Sequence, residues 1–162
     1  MANVTTLGKG GTSGSALANA EYPVIVKHEI DIADAVTAGV TTGGYVDIVE
    51  VPADTYFQFL QAEIVTALDL DSGASDQVDI GDDTDDDQFV AIATTLTAGT
   101  NLTVATADGS YGKVYTTGET VRLKLTGDKL AGGTADATGL IRLVWLQGPT
   151  DRKAPMTVED PA

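Results

Sequence analysis

Asp82, Asp83, Asp85, Asp86 and Asp87 crowd into six consecutive positions, and oxygen ligands of this kind serve a hard cation such as calcium. A calcium hand needs a glycine at the sixth loop position and a bidentate glutamate at the twelfth, and this run has neither. Like charges this dense otherwise stay in water, so the competing expectation is a solvated hairpin tip. His28 is the single histidine. It falls in the apolar phase of an alternating stretch, which suits a core or subunit-interface residue. A ligand or general base would need a convergent partner that the sequence does not place. Cysteine is absent, which removes a thiol nucleophile and a cysteine-based zinc site. The nearest approach to a Gly-x-Ser-x-Gly elbow is Gly11–Ser15, GTSGS. The glycine-rich run Gly8-Lys9-Gly10-Gly11 does not sit between a strand and a helix, as a phosphate loop must. Carboxylates are too many for any pair to stand out as the acid and base of a glycosidase. The expectation is a protein that is not an enzyme and carries no cofactor or metal.

The acidic run is the densest part of a longer stretch, Asp69 to Asp87. This stretch holds nine of the chain's 24 Asp and Glu residues and no Lys or Arg. The formal net charge is −15. Such a surface repels nucleic acid and anionic lipid, and neither is an expected partner. It serves solubility, or it steers the chain towards a basic surface; the residues leave both readings open. No run approaches the roughly 18 consecutive apolar residues that would span a membrane. The N-terminus lacks the basic and apolar regions of a signal peptide. A length of 162 residues suits one domain with arms, long enough to bury a core without staples.

The elements that must carry these residues read as strands. Residues 1–20 are rich in glycine and hold few large apolar side chains: Val4, Leu7 and Leu17, with Tyr22 just beyond. Such a segment is either disordered or an arm that orders on a neighbour. Tyr22–Ile32 alternates, with Val24, Val26, His28, Ile30 and Ile32 on one face. One helical turn is expected near Ile32–Val36. Tyr45–Val51 is a strand that Pro52 stops. Tyr56–Leu68 is the longest run, and it could break near Gln61 or Ala62. Tyr56, Phe57 and Phe59 gather in it, as core residues or as an interface. Val78–Ile80 is a short strand. Gln88–Thr95 alternates, with Phe89, Ala91 and Ala93 on one side and Val90 and Ile92 on the other. Further strands are expected at Asn101–Thr106, Tyr111–Tyr115 and Glu119–Thr126, with a hairpin turn at Asp108-Gly109. Gly139–Gln147 is apolar on both faces, with Ile141, Leu143 and Trp145 on one of them. It should be a central strand, or one covered at a subunit contact. The fold class is all-β: an antiparallel β-sandwich or jelly-roll-like domain of about eight or nine short strands. The organisation is an N-terminal arm at 1–20, a domain at 21–148 and an extended tail at 149–162.

The wording of the middle and end of the chain is distinctive. "GGYVDIVEVPADTYFQFLQAEIVTALD" leads to "DQVDIGDDTDDDQFVAIATTLTAGT", then "GKVYTTGETVRLKLTGD" and "GLIRLVWLQ". Over about residues 44–147 this resembles small β-rich structural proteins of tailed bacteriophages, the head decoration or cement proteins. The resemblance implies a virion protein, made in the host cytoplasm and placed on the outer surface of the head. It implies the major capsid protein and other copies of itself, as a homotrimer, as partners. The arm, with Val4, Leu7, Leu17 and Tyr22, would then bind a neighbouring subunit. Another virion part (a head fibre base, tail or baseplate module) and a glycan-binding β-sandwich remain alternatives.

Overall fold

A computed structural model describes residues 3–5 by their backbone, and residues 23–70, 76–104, 112–130 and 136–150 in full. The strands are β1 (Asn3–Thr5), β2 (Val24–Asp31), β3 (Gly44–Val51), β4 (Thr55–Asp69), β5 (Gln77–Gly81), β6 (Val90–Ala93), β7 (Asn101–Leu102), β8 (Lys113–Tyr115), β9 (Glu119–Thr126) and β10 (Thr138–Pro149). They form two sheets. One runs β1-β3-β9-β5-β6; the other runs β2-β10-β4-β7, with β8 also paired to β4. The expected all-β sandwich is what the chain builds.

Alternation explains the layering. Along β9, Val121, Leu123 and Leu125 are fully buried while Arg122 and Lys124 point outward. Along β10, Ile141, Leu143 and Trp145 face the core. β10 is hydrogen-bonded to β2 on one side and β4 on the other. It is thus the central strand that its two-sided apolar character demands. Between the sheets Phe57 sits among three rings: Phe89 at 5.5 Å, Trp145 at 6.1 Å and Tyr115 at 6.2 Å. Phe59 stacks on Phe89 at 5.6 Å.

Three details differ from the expectation. β4 does not break; it runs continuously and absorbs the irregularity as a bulge at Leu60, where the register passes from Trp145↔Phe59 to Val144↔Gln61. The alternation drawn through Gln88–Thr95 fails, because Phe89 and Val90 are both buried and Ile92 is exposed. Ile92 has a φ of 42°, and its N–H is taken by the Asp79 carboxylate at 2.6 Å, so the strand twists off its phase there. The N-terminal segment contributes β1, which pairs with β3 in parallel, so that sheet is mixed. Asn3, Val4 and Thr5 precede the first glycine of the arm, and β-branched residues suit a strand. The turn at Asp108-Gly109 lies outside the described residues, as does the tail beyond Thr150.

The single α-helix among the described residues is α1 (Ile32–Thr37). Asp31 caps it by accepting a hydrogen bond from the Ala33 N–H at 2.9 Å, and Ile32 and Ala35 fix it to the core. Asp31→Ala should cost about 1 kcal/mol, the usual value of an N-cap oxygen. Urea unfolding of the variant checks this.

Candidate functional site

The acidic loop is the site whose chemistry the sequence singled out, and it is not a free tip. It leaves β5 at Gly81 and returns at Phe89, whose N–H donates to the Ile80 carbonyl at 2.8 Å. Asp82 is 1% exposed. Its Oδ1 accepts from the Thr84 hydroxyl at 2.7 Å and from the N–H groups of Thr84 and Asp85 at 3.0 and 3.1 Å. Its Oδ2 accepts from Lys113 Nζ at 2.6 Å and from the Tyr115 hydroxyl at 2.8 Å. The loop backbone closes as the Asp82 N–H donates to the Asp85 carbonyl at 2.9 Å. Gly81 is required here, since a Cβ would run into the backbone of Asp85 and Asp86.

The outer carboxylates lie along β9. Asp83 accepts from the Thr120 N–H at 2.7 Å and pairs with Arg122, which also reaches Asp47 at 3.1 Å. Asp86 accepts from Lys124 at 2.8 Å and from the Tyr45 hydroxyl at 2.9 Å. Asp85 takes the Asp87 N–H at 3.4 Å, and this neighbouring acid raises the Asp87 pKa. Three cations, Lys113, Arg122 and Lys124, are thus committed to the loop. The expectation of carboxylates held in water is corrected at Asp82, which is buried, and in part at Asp86, which is half-buried; Asp83, Asp85 and Asp87 are exposed. Among the described residues no group of three or more acidic or histidine side chains is arranged to hold a metal. Of the five carboxylates offered as a calcium loop, Asp82, Asp83, Asp85 and Asp86 accept hydrogen bonds from the protein's own donors, while the Asp87 carboxyl lies against Asp85.

Burial opposes ionisation of Asp82 and is the largest single influence on it. The Lys113 ammonium and the Thr84 and Tyr115 hydroxyls together outweigh it, bringing the carboxyl from 3.8 down to about 2. A lowered acid stabilises the fold above its unfolded-state pKa, and that contribution is lost as the pH falls through the folded-state value. The window is therefore pH 4 down to about 2, and the loss is about 2 kcal/mol. Comparing urea unfolding of the wild type with Asp82→Asn between pH 5 and pH 2 checks this, because the gap between them should shrink by that amount. Tyr115 is pushed up, by burial first and by its bond to Asp82 second.

The remaining candidates separate cleanly. Phe57, Phe59 and Trp145 are core residues. His28 is 7% exposed on the inner face of β2, its ring 6.2 Å from Trp145. Tyr56 is half-buried on the outer face of β4, its hydroxyl 3.1 Å from Gln58. Val4 lies in β1, while Leu7, Leu17 and Tyr22 fall outside the described residues. The latch residues Tyr45, Lys113, Tyr115, Arg122 and Lys124 went unnoticed in the sequence. Only the outward phase of Arg122 and Lys124 hinted at them.

Two shallow hollows flank the loop. One, of about 440 Å³, is lined by Glu50, Pro52, Asp83 and Glu119; the other, of about 580 Å³, by Asp79, Asp85, Asp86, Asp87 and Lys124.

No family model matches the chain, and no curated protein matches it. Solved structures do. A chain of the capsid of Ralstonia phage GP4 has a TM-score of 0.51 and 13% identity, covering 91% of this chain and 98% of that one. A chain of the cyanophage Pam1 capsid asymmetric unit has a TM-score of 0.50 and 13% identity, covering 78% of this chain and 85% of that one. The likeness is one of fold.

Proposed function

We propose that this chain is a structural protein of a phage virion, and specifically a head decoration protein that binds the outside of the mature shell and bridges neighbouring capsid subunits. The observation that carries the reading is the end-to-end likeness to a chain of a phage capsid, over 91% of this chain and 98% of that one. The net charge of −15 suits a basic docking surface. The role is not enzymatic. It is linkage: a clip that binds only the assembled, expanded lattice stabilises that state by mass action. Several copies acting as a trimer would multiply the effect.

Co-sedimentation of the purified protein with expanded heads and with unexpanded precursor heads of the phage that encodes it tests the proposal. Saturable binding to expanded heads alone is the expected result. Binding to neither overturns decoration and moves the assignment to a tail, baseplate or fibre part. Deleting residues 1–20 should weaken shell binding by about tenfold or more, because the arm adds a second point of attachment; the deletion also removes β1 from the edge of β3, so the thermal midpoint of the truncated chain is measured beside it. Unchanged binding would remove the arm from the mechanism.

A further inference from the structure

The outer face of the sheet β2-β10-β4-β8 is apolar at one end. Ile25 is 69% exposed, Val114 52% and Leu60, extruded at its bulge, 39%. The half-buried Tyr56, Val144 and Leu146 lie between them. The register makes these one surface. Ile25 pairs with Leu146, Lys27 with Val144, Gly148 with Tyr56, and Tyr56 with Val114, so the patch crosses four strands. A contiguous exposed apolar surface of this kind marks an interaction site.

Its charge says what can dock there. The chain carries 24 acidic residues, yet none stands among these positions; the polar neighbours are Lys27, Gln58 and Gln61. Towards the Arg142 end of the face the first carboxylates, Glu29 and Glu63, are both clasped by Arg142 at 2.8 Å; at the opposite end Asp54 stands exposed two residues before Tyr56. Two copies of a chain of charge −15 repel one another over most of their surface. That repulsion is weakest where carboxylates are absent or paired, and there apolar burial can win. Among the described residues β2 pairs only with β10, so no described strand bars approach from that side.

We infer that this face is a contact between copies of this chain, centred on Ile25 and Val114. The inference needs nothing of the shell, so its failure would leave the virion reading standing.

Sedimentation velocity of the purified protein across a wide concentration range tests it. The wild type should associate, and more strongly as salt is added, because screening removes the repulsion while apolar burial remains. Ile25→Asp and Val114→Asp, singly and together, should weaken association by about tenfold or more. Both positions are exposed, so the thermal midpoint should stay unchanged. Ile92→Asp, at an equally exposed apolar position on the other sheet, should leave association intact. A wild type that is monomeric throughout overturns the inference. So does association that weakens with salt, that survives both Ile25→Asp and Val114→Asp, or that Ile92→Asp abolishes.

Discussion

Replacing Asp82 with alanine is expected to destabilise the domain by about 3–5 kcal/mol, the cost of removing one partner from a buried ionic network. The variant leaves the Tyr115 hydroxyl buried without its acceptor and frees the N–H groups of Thr84 and Asp85. It also takes the nearest carboxylate from the Lys113 ammonium, which keeps Glu119 at 3.6 Å and Gln88 at 3.3 Å and, being 24% exposed, can turn partly into water. This escape places the result at the lower end of the range. Asp82→Asn keeps an acceptor towards Thr84 and Asp85 but presents an uncharged group to Lys113, so it should cost less than alanine. Equilibrium urea unfolding separates the two. A loss below about 1 kcal/mol for Asp82→Ala would mean the loop is a surface ornament, as exposed ion pairs usually are.

Phe57→Ala is expected to cost a similar 3–5 kcal/mol, by a different route. Phe57 is fully buried and meets Phe89, Trp145 and Tyr115 between the sheets. Truncation removes apolar area and leaves a cavity that rings held by two sheets cannot readily fill. For a domain of ordinary stability this is a large part of the whole. Val114→Ala on the outer face, measured beside it, should shift the isolated chain by no more than about 0.5 kcal/mol. Similar losses at both positions would contradict the layering of the sandwich.

The two residues also differ in how far they could be foreseen. Phe57 lies in a long apolar run, so a covered place, in the core or at an interface, is what the run itself offers, and the fold takes the core. The strand Glu119–Thr126 is read to the residue from its alternation. Asp82 is the opposite case. Its partners Lys113 and Tyr115 lie 31 and 33 positions away. A local count of charge sees only five carboxylates repelling one another. Nothing in the run itself states that β8 and β9 will bring cations and hydroxyls beneath it. The phase error at Gln88–Thr95 has the same origin. Asp79, 13 positions upstream, takes the Ile92 N–H and turns the strand. Patterns set by nearest neighbours in the chain are legible; those set by a side chain arriving from another strand are not.

The central place of β10 has a consequence for how the protein is made. Within its sheet β10 separates β2 from β4, and Val24 pairs with Gln147. β10 is also the last of the described strands to be synthesised. A growing chain that has released β2 and β4 from the ribosome still lacks the strand that joins them. Both wait with unpaired edges until β10 emerges. Folding of this sheet is therefore completed after synthesis of the domain rather than during it, and closure over so long a span should place it among the slower, millisecond-to-second folders.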